Sequence, residues 1–247
     1  MTGSVALQSD GGAGPLGELA ARIATDPTRL RERSLPVDEV YAAMLPDAGL
    51  VRGRMVGCAG PAAFSLAFSL VAAAAQAGSW VAVVGMPACG LEAVAELGVP
   101  LERVVLVDVD GGPSTWAERV AAAADGFEVI VTCPPAGGER AVRRVRQRLQ
   151  SNGVVLVAVD PVVPGVSCDL DLVTSHVTWH GVGEGWGHLA ARRVRVRVGG
   201  RRAPRPVEHE LLLPGPDGRV RLVEPGDHGE HGDHGEHGTV VELHRAG

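Results

Sequence analysis

From Arg54 to Val159 the chain alternates short, unbroken β-branched runs with alanine-rich stretches of helical spacing, and that alternation restricts it to few architectures. The runs are Trp80–Val84, Val104–Val109, Val129–Thr132 and Val154–Val159, and the helical stretches between them cover 62–77, 90–97, 114–124 and 139–150. Strands that alternate with helices join in parallel, because a parallel pair needs a crossover long enough to hold a helix. The runs are continuously apolar rather than alternating, as in strands covered on both faces. The last helical stretch places Ala141, Val142, Val145 and Leu149 on one face and sends most of its arginines to the other. An α/β fold with a mostly parallel sheet follows.

The flanks differ from this core. Residues 1–13 are Gly, Ser and polar, without periodicity, and are expected to be disordered. Leu16, Leu19, Ala20 and Ile23 fall at helical spacing, and Val37 to Leu45 follows Pro36 as a second short helical candidate, so a helical lead-in precedes the core. After Pro164 the texture turns β-rich, with Leu170–Ser175, Val177–His180 and then Arg193-Val194-Arg195-Val196-Arg197-Val198 in strict period-two alternation. Such a strand has one buried valine face and one arginine face. The organisation expected is a disordered terminus at 1–13, a domain with its helical lead-in at 14–200 and a C-terminal extension at 201–247.

Charge narrows the partners. All 23 basic residues are Arg, and the chain contains no Lys. The formal net charge is −6, but residues 224–247 carry −5 of it, so the body is close to neutral and lacks the overall basic footprint of a dedicated duplex-DNA binder. Four cysteines without CxxC spacing, Cys58, Cys89, Cys133 and Cys168, read as reduced core thiols. The most apolar stretch, Ala62 to Ala77, is shorter than the roughly 20 residues a bilayer span needs. A cytoplasmic protein is expected.

The segment Met55-Val56-Gly57-Cys58-Ala59-Gly60-Pro61-Ala62-Ala63-Phe64-Ser65 lies where the first core strand hands over to a helix. A phosphate-binding loop there needs Gly, four residues, then Gly-Lys-Ser/Thr, because backbone N–H groups cradle phosphate while the ammonium and hydroxyl meet the γ-phosphate and Mg²⁺. Counted from Gly57, the second Gly is Ala62, the Lys is Ala63 and the hydroxyl is Phe64. None of the three groups is present.

The chain resembles the RecA family over roughly residues 50–200. Ser65-Leu66 through Gly78 resembles the helix after the RecA phosphate loop, and Glu96-Leu97-Gly98-Val99 the approach to its third strand. Leu149-Gln150-Ser151-Asn152 with the following run resembles the segment that carries the nucleotide-sensing Gln, and Gly187-His188-Leu189-Ala190 the approach to a late strand. The resemblance implies a RecA-like three-layer core. It also implies that the water-activating Glu falls on or near Met86, the Walker B Asp on Cys133 and the sensing Gln near Asp160 or Pro161, so that no residue of the catalytic set remains. With the stretch Trp179-His180-Gly181-Val182-Gly183-Glu184-Gly185, the chain most resembles the ImuA family in its ImuA-prime branch. That resemblance implies a non-catalytic accessory of SOS-induced translesion synthesis, without a nucleotide cofactor, whose partners are an ImuB-like inactive Y-family protein, RecA and an error-prone C-family polymerase. A SulA-like cell-division inhibitor is the second reading. An unrelated α/β enzyme using Asp108 and Asp110 at a strand end is the alternative from another class, although both aspartates are equally good turn formers.

Two further features are candidates for partner binding. Seven arginines in 14 residues, among them Arg193, Arg195, Arg197, Arg201 and Arg202, have no acid among them; they either dock phosphate or an acidic surface, or protect a solvated edge strand by charge. The tract Asp227–Gly238 repeats Asp/Glu-His-Gly, and the short apolar end with Val240, Val241 and Leu243 is suited to add a strand to a sheet. The tract offers imidazoles and carboxylates, but ordering so Gly-rich a segment costs conformational entropy, and an acidic spacer is the expectation rather than a metal site.

Overall fold

The computed structural model describes residues 33–160, 168–182 and 187–223. Within them, the elements in chain order are β1 (Ser34–Leu35), α1 (Glu39–Met44), β2 (Leu50–Val51), β3 (Met55–Ala59), α2 (Ala63–Gln76), β4 (Val81–Val84), α3 (Leu91–Glu96), β5 (Val104–Val107), α4 (Pro113–Ala123), β6 (Val129–Thr132), α5 (Glu139–Asn152) and β7 (Val155–Val159). A β-rich part follows, with β8 (Leu170–Val182), β9 (Gly187–Gly200), β10 (Ala203–Leu212) and β11 (Arg221–Leu222).

Nine strands form one sheet in the order β11-β10-β9-β8-β3-β7-β6-β4-β5. From β8 to β5 every pairing is parallel, and from β8 to β11 every pairing is antiparallel. The first core strand, β3, lies between β7 and β8, so the connection that leaves its carboxyl end sits in the middle of the sheet.

Helices cover both faces of the parallel part. On one face α2 buries Leu66, Phe68, Leu70 and Val71 against Val56, Cys58, Val81, Val83 and Val157. On the other, α4 and α5 bury Trp116, Val120, Val142, Val145 and Leu149 against Met55, Ala82, Val84, Ile130 and Leu156. Neighbouring residues of one strand face opposite layers, so a strand between two helical layers must be apolar throughout, which is why the runs do not alternate. Each large side chain buried in this way contributes roughly 1.5–3 kcal/mol. The Trp116 indole N–H donates to Thr132 Oγ1 at 2.8 Å, and that hydroxyl donates to the Val84 carbonyl at 2.8 Å, fixing α4 over β4 and β6.

The lead-in is visible from Arg33. Asp38 caps α1 by accepting from the Val40 N–H, and the buried Tyr41 hydroxyl bonds Ser69 on α2. The first lead-in helix, from Leu16 to Ile23, lies outside the described residues. Helix α5 ends at Gly153 with φ of 67°, the left-handed conformation that closes many helices.

Three expectations need correction. Strand β5 is the sheet edge and leaves Val105 and Leu106 exposed, so its run is not covered on both faces. The expected break around 176 and the edge-strand reading of the arginine segment also resolve differently. Leu170–His180 is part of one strand, bulged at His176 where φ is 49°, and β9 is an interior strand because the Pro-rich segment after it forms β10. Valines 194, 196 and 198 form the buried face expected of β9. The line between 200 and 201 falls in the β9–β10 turn.

Candidate functional site

The carboxyl ends of β3, β4, β6 and β7 bring together the positions that the RecA resemblance singles out, which is where open parallel sheets place their ligands. The connection from β3 to α2 is three residues long, Gly60, Pro61 and Ala62. Gly57 lies inside β3, paired with Ala158 on one side and Asp171 on the other. Ala62 and Ala63 are buried at the start of α2, and Phe64 is half-buried with its ring 4.6 Å from that of Phe68.

The N–H groups of this connection are already bonded. The Ala62 N–H donates to Thr174 Oγ1 at 3.1 Å, and the same hydroxyl donates to the Ala59 carbonyl at 3.0 Å. The Gly60 N–H donates to Asp160 Oδ1 at 3.1 Å, and the Ala63 N–H returns to the Gly60 carbonyl at 3.0 Å. The start of a helix is a natural anion site, because unpaired N–H groups and the helix dipole favour negative charge. Here the chain's own Asp160 supplies a carboxylate, at a residue with φ of 43°. Gly60 has φ of 96°, and a Cβ there would stand 2.2 Å from the Thr174 carbonyl oxygen. Only glycine permits this approach of β8 to the loop.

Met86 follows β4 and packs half-buried against the core. Cys133 follows β6 and is exposed, and Cys89 is half-buried; only Cys58 and Cys168 are core thiols, which corrects the uniform reading of the four. All four thiols are held above their usual range by burial first, and at Cys133 the charge of Asp160 and then Cys89 add to it. They are neutral thiols rather than thiolate nucleophiles at pH 7. Asp108 and Asp110 stand exposed beyond β5, the opposite edge of the parallel sheet from Thr174.

The arginine strand meets acids that lie outside its own segment. Arg195 is within 3.3 Å of Glu210 and 4.0 Å of Glu208, and Arg193 within 3.7 Å of Glu210, all across the β9–β10 pairing. Arg197 is in register with Glu208. Arg192 is buried, its Nε donating to the Leu213 carbonyl at 2.6 Å and its guanidinium 5.0 Å from the Trp179 ring. Arg201 bonds Asp169 at 2.6 Å, and Arg202 is exposed in the β9–β10 turn. Val240, Val241, Leu243 and the Asp227–Gly238 tract lie outside the described residues.

Sequence reasoning missed Thr174 and Asp169. Burial alone would raise the Asp169 carboxyl, but the Met55 N–H at 3.1 Å, Arg201 and Arg146 hold it below the usual carboxylate range. Asp171 is pushed up by burial, against the pull of Arg197. No local signal marks Thr174, a strand threonine 112 residues from the N–H it accepts.

The molecule is thus a three-layer α/β protein on a mostly parallel sheet with an antiparallel C-terminal extension, and among the described residues no helix is long and apolar enough to cross a membrane. Residues 43–165, which contain β3 to β7 with their helices, match the family model described as the MT3502 N-terminal domain. Solved structures similar to the chain include the crystal structure of the RadB recombinase, at 12% identity and a TM-score of 0.49, covering 71% of this chain and 93% of that one. No curated protein matches.

Proposed function

We propose that the chain is a RecA-related protein without nucleotide hydrolysis that acts by binding other proteins. On this reading it is an accessory of SOS-induced translesion DNA synthesis, holding an ImuB-like inactive Y-family protein and linking it to RecA or to an error-prone C-family polymerase. The observation that supports it is the occupied β3–α2 connection. A triphosphate arriving there would have to displace Thr174 from the Ala62 N–H and Asp160 from the Gly60 N–H, against the charge of the Asp160 carboxylate, with no Lys in the chain to compensate. Ala63, Phe64, Met86 and Cys133 stand where the RecA resemblance expects the ammonium, the hydroxyl, the water-activating Glu and the Walker B Asp. The ordered resemblance over residues 50–200 supports the assignment to the ImuA-prime branch. Co-purification of the full chain with the ImuB-like protein of the same organism tests the reading: a complex at micromolar concentrations is expected, and two independently eluting proteins would overturn it.

A further inference from the structure

The amino ends of the parallel strands carry a second concavity, on the opposite side of the sheet from the Gly60 connection. It has a volume of about 450 Å³ and is walled by Arg33, Arg52, Arg54, Arg201 and Arg202, with Gln150 from the last turn of α5. These side chains come from the approach to β1, the β2–β3 turn and the β9–β10 turn. Asp169 is the buried pivot that ties the walls together. Its backbone and carboxylate exchange hydrogen bonds with Met55, its carboxylate bonds Arg201 at 2.6 Å and Arg146 at 3.4 Å, and its carbonyl accepts the Arg202 N–H at 3.0 Å. Gly53, with φ of 77°, lets the β2–β3 turn lie against Gln150, where a Cβ would be 3.1 Å from the Gln150 Cα.

The charge of this pocket departs from that of the chain. Arg52 pairs with Glu128 at 2.7 Å and Arg54 with Asp47 at 2.6 Å, and Arg146 and Arg201 share Asp169. Five guanidiniums line the pocket, Arg33 and Arg202 included, against the three carboxylates Glu128, Asp47 and Asp169, an excess of two positive charges in a chain whose formal charge is −6. Arg33 and Arg202 are both exposed and have no carboxylate partner among the described residues. Like charges concentrated in a concavity focus the field on whatever enters.

We propose that this pocket binds the phosphodiester backbone of nucleic acid. Guanidinium forks match phosphate oxygens two at a time, which favours phosphate over a single carboxylate. The walls carry one large apolar residue, Val51, and no aromatic ring, so the pocket has neither the apolar core of a stable protein interface nor a platform on which a base could stack. Contact is with the backbone and not with base edges, and binding is therefore independent of sequence and sensitive to salt. This site is separate from the ImuB reading, and either stands without the other.

Fluorescence anisotropy of the full chain with a labelled 30-base single strand and with a duplex of the same length tests it. Binding in the micromolar range at about 50 mM salt is expected, weakening as salt rises, with a log–log slope near −2 on the duplex for roughly two neutralised phosphates. The double variant Arg33→Gln/Arg202→Gln removes the two lining side chains that have no carboxylate partner among the described residues; it is expected to weaken binding about tenfold and to remove most of the slope. The matched variant Arg140→Gln/Arg143→Gln takes the same charge from the exposed start of α5 and should bind like the parent. Absence of binding by the parent at 10 micromolar, an equal loss in both variants, or binding of a labelled polyglutamate in preference to the oligonucleotides would each overturn the proposal. The single variants Arg33→Gln and Arg202→Gln, checked by circular dichroism, keep the test informative if the double variant does not fold.

Discussion

The two ends of the parallel strands share one sheet and treat negative charge in opposite ways. At the carboxyl end, the N–H groups of Gly60 and Ala62 are taken by Asp160 and Thr174, and the chain has filled its own anion-binding position. At the amino end, arginines outnumber the carboxylates beside them and two are left without an acid among the described residues. The contrast teaches that a backbone geometry suited to phosphate is not itself a site. What decides is whether the surrounding side chains leave the donors open, and the open donors here are guanidiniums rather than backbone amides.

The largest way to break the carboxyl end is Gly60→Ala. A Cβ 2.2 Å from the Thr174 carbonyl, on a residue with φ of 96°, must push β8 away from the loop, at a cost of roughly 4 kcal/mol. Urea denaturation measures it, and a loss under 1 kcal/mol would mean that the loop is not clamped as described. The amino end should respond almost as strongly to Asp169→Ala. Arg201, Arg146 and the buried Met55 N–H lose the Asp169 carboxylate, costing about 3 kcal/mol, with the salt dependence of the proposed nucleic-acid binding changed as well.

The same carboxylate gives a pH signature. Because its pKa is lower in the folded chain than in the unfolded one, its contribution is complete above the unfolded value of about 3.9 and is lost as pH falls through the folded value. The stability gap between the parent and Asp169→Asn should therefore be widest near neutral pH and shrink below about pH 4. A gap independent of pH would contradict the ion-pair account. The smallest effect is Thr174→Val, which keeps the volume and removes the acceptor of the Ala62 N–H, for about 1–2 kcal/mol. It sharpens the comparison, because the variant reopens one donor of the loop and should still acquire no nucleotide affinity.

How far the sequence announced this depends on distance along the chain. The core strands and helices were legible because burial on two faces demands unbroken apolar runs, and observed elements such as Val129–Thr132 coincide with the expected ones. Strand β10 was not, since Pro204 and Pro206 remove ladder donors and read as loop; the pairing with β9 shifts register over that stretch, between Ala203 and Val207. The bulge at His176 left no mark either. At the candidate site, Ala63 and Phe64 could be read as missing groups from local spacing alone. Thr174 and Asp160 could not be read as the groups that bond the loop's N–H donors, because each meets the loop from at least 100 residues away. The arginine stripe of β9 looked unpaired for the same reason, its acids Glu208 and Glu210 arriving only when β10 folds back. The basic pocket draws on positions from Arg33 to Arg202: Arg201 and Arg202 stand out in the arginine-rich segment, whereas Arg33, Arg52 and Arg54 join them only through the fold.

The central proposal is that the β3–α2 connection, its Gly60 and Ala62 N–H groups bonded by Asp160 and Thr174, takes no nucleotide. Isothermal titration of the full chain with Mg·ATP tests it most directly. No saturable heat up to millimolar nucleotide is the result predicted, and a dissociation constant in the micromolar range, lost on substitution at Ala62 or Ala63, would contradict it.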